Sequence, residues 1–318
     1  MWTFVDSLQA AQREKQSVLC VGFDPQFRFM PPHLIKKYVA LYGKTWEAMA
    51  AIYLEFNQRV LDQVAQFAAA VKPQAAFYEA SHQMWEVLEQ TIEYAESLGL
   101  LVIKDAKRTD GGDTAEAYAD AHIGKVPFFD DSRVPAPIRT DAVTIEAYIA
   151  EACVSHFTDA IKQYGTGAFV VCKTSFKPNS KVENLVTTSG LTVWQELAQD
   201  VAAWGEGTEG ENGYRNLGVV MGATYPEDAP KMREILPKAV MLIPGYGKQG
   251  GGADGAVAPF NEDGFGGLVN DSRHVLMAWQ EGLFKCKSED FAQASGYAAR
   301  VARDDLNAAL VRAGKCPF

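Results

Sequence analysis

The chain has 318 residues, of which 47% are hydrophobic and 22% charged, a composition that fits a globular protein with a large core. Its formal net charge of −10 leaves no basic footprint, which argues against binding to bulk nucleic acid or to anionic membranes. The five cysteines are scattered without a C-x-x-C pair, and the five histidines sit singly. These patterns favour a reducing cytoplasm and give no support to a metal centre.

The first segment, "MWTFVDSLQAAQREKQ", lacks a basic region followed by an apolar one, so a secretory signal is not expected. No apolar run approaches the length of a transmembrane span.

Short runs rich in Val, Ile and Leu recur along the chain and are bounded by turn residues. In order they are "SVLCVGF", "AAAVKP", "LLVIKDA", "DAVTI", "GAFVVCK", "NLGVVMGA", "AVMLIPG" and "FGGLVN". Runs that are continuous rather than alternating are typical of parallel strands covered on both faces. Amphipathic helical stretches lie between them, such as "YEASHQMWEVLEQTIEYAESLG", "TVWQELAQDVAAWG" and "PEDAPKMREIL", and a long one follows the last run.

Eight strands alternating with helices predict an α/β protein with the (β/α)8 TIM barrel fold. A doubly wound sheet is the alternative, but no G-x-G-x-x-G follows the first strand, which favours the barrel. We expect a single barrel domain over residues 1–318, with surface insertions around 124–140 and 205–216.

Polar residues end several of the predicted strands, and in a barrel the carboxyl ends of the strands build the active site. They are Asp24, Lys72, Asp105, Lys107 and Ser175, and Asp110 and Thr114 follow on the next turn and helix start. A D-x-K-x-x-D pattern alone also fits a structural ion pair. Its place after a buried strand, with Lys72 ending the preceding strand, favours a catalytic cluster instead.

The glycine-rich stretch "PGYGKQGGGADG" follows the seventh predicted strand. Successive glycines let backbone N–H groups converge on an anion, and the loops after strands seven and eight are the usual phosphate site of a barrel. Arg273, which opens the next helix, would clamp a phosphate with its planar guanidinium. The alternative is a flexible surface loop with an arginine in solvent.

Six motifs in order resemble orotidine 5'-phosphate decarboxylase, above all its longer bacterial subgroup. They are "FDP", "VKPQAAFYE", "DAKRTDGGDTA", "KTS", "IPGYGKQGG" and "LVNDSR", which together span about Ser17 to Arg273. The resemblance implies conversion of orotidine 5'-monophosphate to uridine 5'-monophosphate and carbon dioxide in pyrimidine synthesis. It also implies that the enzyme uses no cofactor and no metal.

The resemblance assigns the charged residues. Lys72, Asp105, Lys107 and Asp110 match the catalytic network of the family, with Lys107 as the proton donor to C6 of the substrate. In the family the residues matched by Asp110 and Thr114 reach into the neighbouring subunit's site. The resemblance therefore implies an obligate homodimer with shared active sites.

The resemblance also assigns the residues that bind substrate. Asp24 matches a ligand of the ribose hydroxyls, and Ser175 matches the serine that reads the pyrimidine ring. Gln249 and Arg273 match the ligands of the phosphate.

Three positions depart from the family pattern, and one of them, Lys248 beside Gln249, would either add charge to the phosphate site or face water. Thr109 stands where the subgroup commonly has glycine, so a backbone that glycine adopts easily is expected there. Glu146 stands where the family more often has asparagine, which places an extra carboxylate near the end of the fourth strand.

Two other functions fit parts of the pattern. Metal-assisted enzymes of the same superfamily that act on keto-sugar phosphates also carry D-x-K-x-x-D, but they need an acidic Mg²⁺ ligand near the end of the second strand, where this chain has Lys72. A non-catalytic phosphate-binding barrel is the third possibility, since fold alone does not determine function.

Overall fold

A computed structural model describes residues 2–147, 150–176, 181–247 and 250–318 of the chain. Eight parallel strands close into a barrel in which each strand pairs with its neighbours along the chain and the last pairs with the first. All eight predicted strands are confirmed, and so is the (β/α)8 fold. The strands are β1 (Leu19–Phe23), β2 (Ala70–Pro73), β3 (Leu101–Arg108), β4 (Val126–Pro127), β5 (Arg133–Val134), β6 (Ala142–Ile145), β7 (Gly167–Lys173), β8 (Arg215–Met221), β9 (Ala239–Ile243) and β10 (Gly267–Asp271), of which β4 and β5 form a separate hairpin.

Helices connect the barrel strands, and those predicted from the sequence are present. The α-helices of the described residues are α1 (Phe4–Lys15), α2 (Pro32–Tyr42), α3 (Trp46–Val64), α4 (His82–Ser97), α5 (Gly112–His122), α6 (Ser155–Tyr164), α7 (Val193–Trp204), α8 (Ala229–Ile235), α9 (Ala253–Val257), α10 (Arg273–Leu276) and α11 (Phe291–Arg312). Side-chain caps fix the residue at which several of these helices begin. The Ser81 hydroxyl accepts the Met84 N–H at 3.2 Å at the start of α4, and Thr192 begins α7 with a capping box.

Helix α1 covers the amino-terminal end of the barrel. Phe4 packs edge-to-face on Phe169 of β7, with ring centroids 5.9 Å apart, and a Cβ on Gly167 would come within 2.4 Å of the Phe4 ring. Polar contacts fix the helix as well, because the Val5 N–H donates to the Asn216 side-chain oxygen at 2.8 Å. The apolar interior is therefore closed at this end, and the polar strand ends lie at the other.

Two connections fall in the regions around 124–140 and 205–216, where insertions were expected. The first contains the β4–β5 hairpin, whose turn holds Asp130 and Asp131 at φ values of 58° and 57°. An ion pair between Arg133 and Asp120 ties the hairpin to α5. The second, between α7 and β8, is attached to α1, where Asp6 accepts the Glu211 N–H at 2.8 Å.

Among the described helices, none is both long enough and apolar enough to pass through a lipid bilayer.

Candidate active site

A cavity of about 190 Å³ opens at the carboxyl ends of the barrel strands. Six of the residues predicted from the sequence line it: Asp24, Lys72, Asp105, Lys107, Ser175 and Arg273. They come from the loop after β1, from β2 and β3, from the loop after β7 and from the start of α10. The barrel thus gathers at one place side chains that are up to 249 positions apart in the sequence, counted from Asp24 to Arg273 (273 − 24).

The centre of the cavity is a carboxylate held between two lysines. Asp105 accepts a hydrogen bond from the Lys72 ammonium at 2.6 Å on one oxygen and from the Lys107 ammonium at 2.5 Å on the other. Lys72 and Asp105 are buried, at 5% and 7% exposure, whereas the Lys107 side chain is 43% exposed. A buried ion pair is tolerated only when both charges are well bonded. The reactive end of Lys107 remains open to a ligand.

Electrostatics keeps these buried groups charged. Burial favours the neutral form of Lys72, but Asp105 and Asp24 outweigh it and raise the pKa of Lys72 above its ordinary value. Burial likewise favours the neutral form of Asp105, but Lys72 and then Lys107 outweigh it and hold the pKa of Asp105 well below its ordinary value. A permanent negative charge therefore lies at the floor of the cavity, between two cations.

The backbone of Lys107 departs from the strand. Its φ is 46°, in the left-handed region, and the pairing of β3 with β6 shifts register between Lys104 and Arg108. A residue with a side chain costs about 1–2 kcal/mol in this conformation. The sequence predicted that Thr109 would adopt a glycine-like backbone, but Thr109 is not among the residues with positive φ, so that expectation is wrong. The strained position is the lysine itself.

Thr144 of β6 holds this bulge and was not singled out from the sequence. Its hydroxyl accepts the N–H groups of Ala106 and Lys107, both at 3.1 Å, and donates to Asp105 at 2.8 Å. One buried hydroxyl thus fixes the backbone that carries Lys107 and the carboxylate that pairs with it. Threonine is common in strands for its shape alone, so only the β3–β6 pairing reveals this contact.

Asp24 and Asn270 present unused oxygens beside this cluster. Asp24 Oδ1 and Asn270 Oδ1 are both buried and bond to none of the residues that the structure describes. Both residues line the cavity. Buried polar atoms are nearly always hydrogen-bonded, so these two oxygens are suited to accept hydrogen bonds from hydroxyl or N–H groups of a ligand.

Arg273, at the start of α10, supplies another cation to the lining of the cavity. The side chain is exposed, lines the cavity, and makes no hydrogen bond or ion pair with the described part of the chain. The neighbouring Asp271 is occupied instead by His274, whose Nδ1 lies 2.9 Å from Asp271 Oδ2. Gln249, the other predicted phosphate ligand, lies outside the described residues. The guanidinium of Arg273 is thus available to an anionic group.

The structure does not bring Asp110 and Thr114 into the cavity of their own chain. Both side chains are exposed, and Asp110 Oδ1 accepts only the N–H of the next residue, Gly111, at 2.8 Å among the described contacts. They lie on the turn before α5 and on its first turn. Their predicted contribution to a site therefore needs another chain, and it stays a prediction.

Glu146 adds a second carboxylate near the cluster. It follows β6, its N–H donates to the Arg108 carbonyl at 3.0 Å, and it is half-buried. Burial raises the pKa of Glu146, Lys107 opposes that shift, and Asp105 and Glu183 add to it. Within residues 2–147, 150–176, 181–247 and 250–318, no three His, Cys, Asp or Glu side chains come together in a way that could hold a metal ion.

A closed parallel barrel with a charged cluster at the carboxyl ends of its strands has the arrangement of a (β/α)8 barrel enzyme. A family model described as "Orotidine 5'-phosphate decarboxylase / HUMPS family" matches residues 17–270, and the chain belongs to this family.

Curated relatives and a solved structure agree with this assignment. The chain is 35% identical to the orotidine 5'-phosphate decarboxylase of Rhodopirellula baltica, over 91% of this chain and 93% of that one. It is 32% identical to that of Caldicellulosiruptor saccharolyticus, over 98% and 100%. The structure of Leishmania donovani OMP decarboxylase superposes with a TM-score of 0.70 and 27% identity, covering 96% of this chain and 98% of that one.

Proposed function

We propose that this chain decarboxylates orotidine 5'-monophosphate to uridine 5'-monophosphate and carbon dioxide. The observation that carries the proposal is the Lys72–Asp105–Lys107 cluster, in which a buried carboxylate holds a lysine at the open face of the cavity. The near full-length relatives named as this decarboxylase support the choice of substrate.

The substrate would lie across the cavity with its phosphate towards Arg273. The free guanidinium forms paired hydrogen bonds to phosphate oxygens, and Gln249 is proposed to add a further one. The unused oxygen of Asp24 would accept a ribose hydroxyl. Ser175, on the opposite wall, is proposed to bind the pyrimidine ring. Binding energy gained at the phosphate and ribose can be used at the distant C6 atom.

The chemistry needs no external electron acceptor. When the bond between C6 and the carboxylate breaks, carbon dioxide leaves and the electron pair remains on C6 as a vinylic carbanion. The Lys107 ammonium stabilises this charge and donates a proton to C6, and the resulting amine regains a proton from solvent. Asp105 orients Lys107. The negative charge of Asp105 also lies close to the proposed position of the substrate carboxylate, so the two carboxylates repel each other. Loss of the substrate carboxylate as carbon dioxide relieves the repulsion.

A homodimer with shared active sites is the proposed working unit. Asp110 and Thr114 are exposed at the rim of their own barrel, at the start of α5, where they can reach a second chain. The Lys107 ammonium is bonded to Asp105 and still 43% exposed, so it has room for a second carboxylate. A partner's copy of Asp110 would complete the charge network.

The proposed cellular setting is a reducing cytoplasm. All five cysteines are free, and Cys20, Cys153 and Cys172 are buried. Burial, and to a smaller extent the carboxylates of Asp105 and Asp24, raise the pKa of Cys20 to about 12. The thiol of Cys20 is therefore unreactive at neutral pH.

A metal-assisted reaction on a keto-sugar phosphate is the second candidate, because its enzymes share the D-x-K-x-x-D motif. That reaction needs an acidic metal ligand near the end of β2. Lys72 occupies this position and is bonded to Asp105, which leaves a cation where the metal would bind.

The deciding experiment is a spectrophotometric assay with orotidine 5'-monophosphate in excess EDTA. Wild type should turn over, Lys107→Ala should lose at least about 100-fold in kcat, and Lys36→Ala, which removes an exposed lysine of α2, should match wild type. Turnover that requires added Mg²⁺ would transfer the proposal to the keto-sugar phosphate branch. No turnover under either condition would leave a phosphate-binding protein.

A further inference from the structure

Lys173, the last residue of β7, is a lysine with 0% exposure that does not line the cavity. Lysine is almost never fully buried unless it is paired, because its ammonium loses its hydration. The neighbouring residues Thr174 and Ser175 do line the cavity. The first question is therefore what Lys173 binds, and the second is what that contact does to Ser175.

The ammonium of Lys173 joins two loops. From the β7–α7 connection it donates to the Asn184 side-chain oxygen, and it lies 5.4 Å from the ring centroid of Trp194 on α7. From the segment after β8 it lies 3.2 Å from Asp228 Oδ2 and 4.4 Å from the ring centroid of Tyr225. One charge is thus surrounded by a carboxylate, an amide oxygen and two aromatic rings, and each is a favourable neighbour for a cation.

These two loops fix the backbone of Ser175. The Thr224 hydroxyl donates to the Ser175 carbonyl at 3.1 Å, and the Glu183 carboxylate accepts the Thr174 N–H at 2.9 Å. The loops are in direct contact, since a Cβ on Gly222 would lie 2.6 Å from Ser175 Cα. Glu183 adjoins Asn184, and Thr224 adjoins Tyr225. The contacts that hold Ser175 in place are therefore one residue away from the contacts made by Lys173.

We propose that Lys173 is a positioning residue that sets the affinity of the site for the pyrimidine ring. It acts through the two loops that place Ser175, and it touches no part of the ligand. The proposal rests on the proposed function, because Ser175 is taken there to face the ring. It predicts a selective defect in which ligands with a ring lose affinity, while ligands held only by phosphate and ribose do not.

The test compares Lys173→Met with wild type by calorimetric titration of uridine 5'-monophosphate and ribose 5-phosphate. Methionine keeps the length of the side chain and removes the charge. The Kd of uridine 5'-monophosphate should rise about tenfold, the size expected for losing the hydrogen bond between Ser175 and the ring. The Kd of ribose 5-phosphate should change by less than about twofold. In turnover, KM should rise more than kcat falls.

Lys104→Met is the matched control. Lys104 is also 0% exposed and also lies on a barrel strand, β3, but its ammonium donates to the Ile138 carbonyl and it does not line the cavity. The same chemical change there should leave the ratio of the two dissociation constants as in wild type. Equal weakening of both ligands in Lys173→Met, or no weakening of either, would overturn the proposal.

A second variant covers the case in which Lys173→Met does not fold. Asn184→Ala removes one partner of the ammonium, and Asn184 is exposed, so the chain should fold. It should shift the ratio in the same direction by a smaller factor, and an unchanged ratio would refute the role of this contact. Because the titrations need no turnover, a wild type that binds both ligands without decarboxylation would refute the proposed function alone.

Discussion

Replacing Thr144 by valine tests whether one hydroxyl arranges the charged cluster. The side chain keeps its shape but can no longer accept the N–H groups of Ala106 and Lys107 or donate to Asp105. The bond to the charged carboxylate is worth roughly 1.5–3 kcal/mol. If it serves the transition state, its loss should lower kcat by about 10- to 100-fold. The two backbone N–H groups left without an acceptor should lower the free energy of unfolding by about 2–6 kcal/mol, at about 1–3 kcal/mol for each group.

The pH profile separates this effect from a simple loss of stability. Thr144 donates to the ionised form of Asp105, so its removal should raise the pKa of Asp105 from its depressed value. The acid limb of kcat/KM should therefore move to higher pH, while KM changes little. Thr144→Ser restores the hydroxyl and should recover most of kcat.

Thr140→Val is the control, because Thr140 is also buried and its hydroxyl donates to the Ala142 carbonyl at 2.9 Å, away from the cavity. It should lower stability without changing kcat or the pH profile. If Thr144→Val and Thr140→Val have the same kcat, the reasoning about the hydroxyl is wrong.

Three further experiments test other features of the chain. Arg273→Ala should raise the Ki of uridine 5'-monophosphate about 10- to 100-fold, because a paired phosphate contact is lost, and should leave the Ki of uridine unchanged; equal losses would argue against a phosphate role. A mixture of Lys107→Ala and Asp110→Ala chains, each inactive alone, should recover about a quarter of wild-type activity after subunit exchange, since half of the dimers are hybrid and each has one intact site; no recovery would contradict shared sites. Burial, with a smaller effect of Arg108, lowers the pKa of Lys104 to about 7, so the unfolded chain binds more protons between pH 7 and about 10.5. Over that range the stability of wild type relative to Lys104→Met should rise with pH in denaturation experiments, and a flat difference would show that Lys104 is not perturbed.

The barrel could be predicted because the local sequence of each strand is enough to indicate a strand. Runs such as "GAFVVCK" are apolar throughout, since both faces of a barrel strand are covered. The positions of Lys72, Asp105 and Lys107 follow from the same pattern, because strand ends meet at one rim. Six predicted residues therefore line one cavity.

What could not be predicted depends on contacts between distant segments. In the sequence, Thr144 and Lys173 are indistinguishable from ordinary strand residues. The partners of Thr144 come within hydrogen-bonding distance only through the pairing of β6 with β3, and those of Lys173 only through the contact between the loops after β7 and β8. The left-handed backbone of Lys107 was also not predicted. Strand periodicity indicates the side on which its side chain lies, but its φ angle is set by the irregular pairing of β3 with β6. The proposed role of Asp110 and Thr114 involves a second chain, which a single sequence cannot place.

Because position 107 has a left-handed backbone, the residue that would be most stable there differs from the residue that the proposed reaction needs. At φ 46° the fold would accept glycine with less strain than any other residue. Lys107→Gly should thus be more stable than Lys107→Ala by about 1 kcal/mol, although both lack the amine. A selection for heat resistance alone would favour glycine at position 107, whereas the proposed reaction needs the lysine. Under the proposed function, the amine that donates the proton therefore lies on a backbone that costs the fold stability.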